Sequence, residues 1–324
     1  MRFSPRTAGI GAAVITVLIW TSFIVIARAS AGHTLNPFDI AFVRILGASL
    51  VLLPLGFWLV RRERAAGGSA QGWLGLSPLP LRMTALTGLF GGLLYAMLAY
   101  AGFFLAPAAH ASVLMPGSLP LWTTLLAAII LGTRITPARA LGLLFIVAGG
   151  LLVGGASLLK AFDGGSVWKG DLLFMSAAFC WSVYSVLVRK HGLDPVKATV
   201  AITVFSFFAY VPAYALLALA QLVPSRLAAA PAGEIAFQMI FQGVGSVVIS
   251  GITFTRMIQY FGPVRSTMIT ALVPGLSALG AVVFLGELMS WNLLAGLALV
   301  TVGIVFGVRQ TAPAAALPAA GPAA

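Results

Sequence analysis

Few residues in this chain carry reactive chemistry. It has seven acidic residues, three histidines (His33, His110, His191) and one cysteine, Cys180. No histidine has an acid or a second thiol at ligand spacing, so no metal is expected. A lone cysteine excludes an intramolecular disulfide, and Cys180 is expected to be a small buried apolar residue. Gly91-Gly92 and Gly149-Gly150 have no strand before them and no lysine after them, so they are not phosphate loops. Neither an enzyme nor a cofactor is expected. What remains is hydrogen-bonding and aromatic side chains set at helical spacing inside apolar runs. Gln238, Gln242, Ser246, Ser250 and Thr253 recur at steps of four, four, four and three, which makes one helix face. Thr267, Thr270, Pro274 and Ser277 repeat the pattern at three, four and three. Lipid cannot satisfy such a stripe, so it must face other helices or a wet cavity. Helix–helix hydrogen bonding, with Gly243, Gly245 and Gly251 as packing surfaces, is the alternative for the first stripe.

Trp20 and Trp181 fall in the middle of apolar runs, away from the interfaces where membrane tryptophans gather. Tyr184 and Ser185 follow Trp181 at helical spacing, and Tyr95 is also mid-run. Aromatic walls of this kind stack on apolar or aromatic solutes, or else fill equivalent places in a core. The candidate substrate-binding set is Trp20, Tyr95, Trp181, Tyr184, Gln242, Ser246, Ser250 and Thr270. Pro116 and Pro120 lie in one run and Pro274 in another, where they should kink or unwind the helix and act as gating points. Arg44 is the one basic residue well inside a run. It is expected to snorkel to the headgroups or meet Asp39, in preference to pairing a substrate carboxylate. His110 is expected to be a solvated interfacial residue.

These residues need a membrane to position them. The chain is 60% hydrophobic and 8% charged, with a mean hydropathy of +1.05, where a soluble domain carries about 25% charged residues. Ten apolar runs are long enough to be spans: 8–30, 39–60, 83–105, 109–131, 138–157, 170–188, 197–220, 235–256, 264–285 and 291–308. The first resembles a signal peptide, but it exceeds a usual h-region and is expected to be retained. With the N-terminus inside, the cations of the inner segments (Arg61, Arg62 and Arg64 of one loop among them) far outnumber Arg28, Lys160, Lys169 and Arg226 outside. Both termini are therefore expected in the cytoplasm. The net charge of +12 reads as this orientation signal and not as nucleic-acid binding.

The chain also repeats itself. Gly9, Trp20 and Arg28 return as Gly170, Trp181 and Arg189, offset by 161. Pro120, Gly132, Gly142 and Gly149 return as Pro274, Gly286, Gly296 and Gly303, offset by 154. Five spans per copy is an odd number, so the second copy must enter the membrane from the other side. The expectation is an all-α integral membrane protein of ten helices in two inverted-topology repeats, residues 8–157 and 170–309. A low-complexity disordered tail at 311–324 follows.

A proline in the fourth helix of each half, then Leu-Gly (Leu285-Gly286-Glu287 in the second half), then a glycine-rich last helix (142–150, 296–304) resembles the EamA-type branch of the drug/metabolite transporter superfamily. The first half departs from this pattern, with Thr133 in the place of Glu287. The resemblance implies a multi-pass exporter of the bacterial inner membrane that moves small neutral solutes, aromatic and other neutral amino acids first, by alternating access through a central cavity. A proton-coupled drug or metabolite exporter of the same superfamily is the alternative. No acid lies mid-span, which argues against a carboxylate relay. The expected partners are the solute and the bilayer; a monomer is plausible.

Overall fold

The computed structural model describes residues 5–67, 72–159, 165–270 and 272–309. The expected tail at 311–324, part of the loop at 61–81, and Lys160 lie outside the described residues. Helices and short turns make up the described chain, with no strand among the described residues. The helices are α1 (Pro5–Ser30), α2 (Pro37–Ala65), α3 (Leu81–Leu105), α4 (Ala108–Leu131), α5 (Pro137–Leu159), α6 (Val167–Lys190), α7 (Pro195–Leu219), α8 (Ala232–Phe261), α9 (Pro263–Leu285) and α10 (Trp291–Arg309). Among the described residues, nine helices are long and apolar enough to cross a bilayer. The apolar part of α10, Trp291–Phe306, is shorter.

Local sequence sets the helix ends. Asn36 caps α2 by accepting from the Phe38 and Asp39 amides, while Asp39 accepts in return from the Asn36 amide. Asp194 caps α7 through the Val196 and Lys197 amides. Gly132 and Gly286, which end α4 and α9, both take positive φ (66° and 65°). The prolines act where expected. α4 breaks after Leu114 and resumes at Leu119, with Pro120 in its new first turn. α9 breaks after Ile269 and resumes at Leu272, with Pro274 just inside.

Two helices depart from the regular period assumed for them. α3 is π-helical over Leu89–Leu93, and α8 over Met239–Ile249. Both segments contain paired or near-paired glycines pressed against a neighbour. A Cβ on Gly243 would lie 2.8 Å from the Ala48 amide nitrogen of α2, and one on Gly92 would lie 2.5 Å from Ser206 Oγ of α7. Close backbone approach, not a propensity visible residue by residue, selects the wider turn.

Packing between helices uses small residues, as it must when lipid is as apolar as the core. α5 and α10 run antiparallel and touch at glycines. A Cβ on Gly149 would lie 2.5 Å from the Gly296 carbonyl oxygen, and one on Gly303 would overlap the Gly142 carbonyl. α1 lies against α9 and α8, α6 against α4 and α3, α2 against α8, and α3 against α7. Gly149→Ala should lower stability by about 1–3 kcal/mol because it forces a backbone apart. Gly155→Ala, whose Cβ would meet nothing within 4 Å, should be neutral. Thermal unfolding of the detergent-purified variants measures the difference.

Candidate functional site

Four aromatic rings from α1, α3, α6 and α8 meet in the centre of the bundle. Trp20 and Trp181 stand edge to face at 5.7 Å. Phe254 lies 4.8 Å from Trp20 and 5.5 Å from Trp181, and Tyr95 lies 4.8 Å from Trp181. The two tryptophans occupy matching positions of the repeat, so the repeat brings them into contact. Trp20 Nε1 donates to Ser250 Oγ at 3.3 Å, whereas the buried Trp181 Nε1 has no partner among the described residues.

Two cavities flank Trp181. One, of about 30 Å³, lies between α2, α3, α6, α7 and α8; Arg44, Ala96, Thr203, Ser206 and Ser246 are in its wall. The other, of about 20 Å³, is walled by Trp20, Phe23, Tyr95, Met115, Pro116 and Leu119. The broken turn of α4 thus borders the second cavity. A larger apolar pocket of about 210 Å³ lies apart from the site, between α4, α5 and α6. Its polar lining residues Ser118 and Asp171 are both bonded, to the Leu114 carbonyl and to His110.

The expected residues divide into three groups. Trp20, Tyr95, Trp181 and Ser246 line the cavities. Gln242, one turn before Ser246, is fully buried, and neither its oxygen nor its nitrogen has a partner among the described residues. Ser246 Oγ is unpartnered too. The remaining residues are held elsewhere. Tyr184 packs on Trp181 but shares a 2.7 Å hydrogen bond with Thr255. Ser250 donates to the Ser246 carbonyl while accepting from Trp20. Thr270 donates to the Thr267 carbonyl, healing the break in α9. Pro120 and Pro274 sit at the breaks and not on a cavity wall.

α7 supplies a polar stripe of its own. Thr199, Thr203 and Ser206 line the larger cavity, and the hydroxyls of Thr203 and Ser206 have no partner among the described residues. Their spacing of four and three in an apolar run is the same signal that marked α8.

Two charged residues differ from expectation. Arg44 does not reach the headgroups. It is 6% exposed, its Nη1 donates to Tyr100 Oη at 3.0 Å, and its guanidinium lies over Phe23 at 5.4 Å. Nor does it meet Asp39, whose carboxylate is taken by Tyr214, Ser225 and the Arg226 amide. Helix α2 turns position 44 toward Phe23 and Tyr100, which the run alone does not reveal. His110 is not simply solvated either: its Nδ1 is 2.9 Å from Asp171 Oδ1. Cys180 is buried as expected.

A polytopic helical protein with partly polar cavities within its helix bundle and no clustered metal ligands among the described residues has the build of a membrane transporter. The family model of the EamA-like transporter family matches residues 7–155 and 168–309, so the chain belongs to that family, once per half. It is similar to the aromatic amino acid exporter YddG of Ancylobacter novellus, 29% identical over 271 residues, covering 78% of this chain and 84% of that one. It is also similar to an uncharacterized transporter of Archaeoglobus fulgidus, 31% identical over 183 residues, 54% of this chain and 55% of that protein. A third relative, the uncharacterized transporter YyaM of Bacillus subtilis, is 36% identical over 81 residues, a quarter of each chain. The chain spans about half the length of the Archaeoglobus relative and about a quarter of the Bacillus one. A solved crystal structure 25% identical in sequence superposes with a TM-score of 0.58 over 94% of this chain and 98% of the other, which supports the fold.

An unpartnered buried amide costs stability that its removal returns. Gln242→Leu, close in volume, should therefore raise stability by about 1–2 kcal/mol in thermal unfolding. A stripe built only to bond helices together would lose stability on the same change.

Proposed function

We propose that this protein exports neutral amino acids, aromatic ones included, across the bacterial inner membrane by alternating access between two inverted halves. The observation that carries the reading is a pair of cavities that share Trp181 and differ in their walls. Trp20, Tyr95 and Trp181 offer aromatic faces, and Trp181 Nε1, Thr203, Ser206 and Ser246 offer hydrogen-bonding atoms that no group among the described residues occupies. An aromatic amino acid has both surfaces. The name of the Ancylobacter relative points the same way.

Inverted symmetry among ten spans is supported by the glycine contacts of α5 and α10. Gly142 matches Gly296 and Gly149 matches Gly303 in the repeat, yet Gly149 meets Gly296 and Gly142 meets Gly303. Reciprocal antiparallel packing of matching helices is what a two-fold axis in the membrane plane would produce.

Each end of the chamber has a closure that joins the halves. At the end holding the α1–α2 turn, which the charge bias places outside with both termini inside, Glu287 accepts from the Ala108 and Ala109 amides at 3.0 Å. It also pairs with Arg28 at 3.4 Å. The carboxylate thus sits on the N-terminus of α4, where the helix dipole favours it. At the other end Lys197 of the second half pairs with Glu63 of the first. Rocking opens one set while the other holds. No carboxylate lines either cavity, so the cycle needs no carboxylate proton relay.

Counterflow of radiolabelled phenylalanine in proteoliposomes tests this. Exchange should proceed at the same rate with and without an imposed pH gradient, and Trp181→Ala should slow it roughly tenfold, the equivalent of one lost aromatic contact. Exchange that requires the gradient would overturn the uncoupled cycle. No exchange of any amino acid by folded protein would overturn the substrate class.

The outer closure gives a second expectation. On a Cys180→Ala background, Ser112→Cys should react faster with externally added maleimide when Glu287→Gln is also present. Ser112 is buried one turn below the Glu287 contact and bonded to Ser277 of α9. Unchanged labelling would exclude Glu287 from the closure.

A further inference from the structure

The described acids are all engaged at helix ends. Glu63 pairs with Lys197, Asp194 caps α7, and Glu234 accepts from the Leu35 amide. Asp39, Asp171 and Glu287 are held as described above. Arg44 has none of them. Its guanidinium carries five N–H donors, and among the described residues its one hydrogen bond goes to the Tyr100 hydroxyl. Its Cζ also lies over the aromatic faces of Phe23 and Tyr100, at 5.4 and 5.7 Å from their centroids. Such faces soften the cost of a buried cation without neutralising it. A charge placed this deep in a membrane protein normally has a counter-ion and a task.

Its position supplies both. Arg44 lines the larger of the two cavities at Trp181, as do Ser206 and Ser246. Phe23, on which its guanidinium rests, lines the smaller one beside Trp20 and Tyr95. The cation therefore stands where the two cavities flanking Trp181 approach each other.

We propose that Arg44 binds the carboxylate of the transported solute, and so makes a free carboxylate a requirement for transport. This rests on the amino-acid reading above and deepens it. The planar fork of an arginine matches a carboxylate with two parallel hydrogen bonds. With the carboxylate on Arg44, an apolar or aromatic side chain extends toward Trp20, Tyr95 and Trp181. The same arrangement makes the empty carrier hold an uncompensated positive charge that a zwitterion's carboxylate neutralises. An amine or amide of the same shape cannot do so.

The test compares phenylalanine with phenylalaninamide, which keeps the ring and the amine but replaces the carboxylate with an amide. In proteoliposome counterflow the wild-type protein should exchange phenylalanine at least tenfold faster than the amide. Arg44→Gln should lose at least tenfold in phenylalanine exchange and bring the two solutes to within about twofold of each other. Arg44→Lys, which keeps a point charge without the fork, should fall between and keep the preference. Wild-type protein that exchanges both solutes equally overturns the assignment and leaves the transporter reading standing. So does an Arg44→Gln protein that keeps the wild-type preference. Wild-type protein that exchanges no amino acid overturns the substrate class, and this assignment with it. Should Arg44→Gln not fold, the wild-type comparison and Arg44→Lys still decide.

Discussion

Lipid offers no hydrogen bonds, and that constraint arranges every polar group in this protein. Many serine and threonine hydroxyls donate to the carbonyl one turn back in their own helix. Thr16, Ser49, Ser112, Thr199 and Ser277 all do so. Some also reach across the halves: Ser277 to Ser112 at 2.8 Å, Thr16 with Thr253 at 2.8 Å, and Gln238 to Ser30 at 2.7 Å. Groups satisfied in this way hold helices together and are unavailable to a solute. The minority left unsatisfied is therefore informative. Gln242, Ser246, Thr203, Ser206 and the Trp181 indole belong to that minority, and all but Gln242 face one cavity. An orphaned buried donor is costly in a static protein. It is tolerable where water or a solute completes it for part of a working cycle.

The same constraint limits how the two halves can move. Glycine contacts such as Gly149 with Gly296 and Gly243 with Ala48 bring backbones to a separation that no side chain tolerates. Interfaces of that kind slide or stay put; they do not swell. Polar ties between the halves lie largely toward the two ends, at Arg28–Glu287 and Lys197–Glu63. Aromatic contacts, which are weakly directional, lie in the middle. A bundle that is tied at its ends and packed on aromatic faces at its centre is suited to rocking.

The spans, the repeat and the helix breaks were legible because each depends on residue type at a fixed spacing. Trp20 and Trp181 were placed together by an offset in the sequence, and they touch. The π-helical segments of α3 and α8 were not legible, since they follow from how closely Gly92 and Gly243 approach other helices. The rotation of α2 that turns Arg44 inward is likewise a tertiary property. Nothing in its own run separates a snorkelling arginine from a buried one. His110 looked like an isolated interfacial histidine because its partner Asp171 is 61 positions away. The α7 stripe is a different case. Thr199, Thr203 and Ser206 carried the same signal as α8 but lack an amide side chain among them, and so stood out less.

Departures from the repeat show where the chamber stops being a symmetric scaffold. Two matching indoles meet at the centre, and symmetry alone would give both the same partner. Instead Trp20 donates to Ser250 while Trp181 donates to nothing in the described protein. Glu287 closes one end, whereas the first half has Thr133 in its place, with no carboxylate to set on a helix. A two-fold repeat needs no such differences to fold; each is a local loss of symmetry at the cavity or at its closure. Under the proposed function, a bound solute would supply the acceptor that the Trp181 indole lacks. A carboxylate held by Arg44, whose guanidinium rests on Phe23 beside Trp20 and Tyr95, would leave the rest of the solute within reach of Trp181.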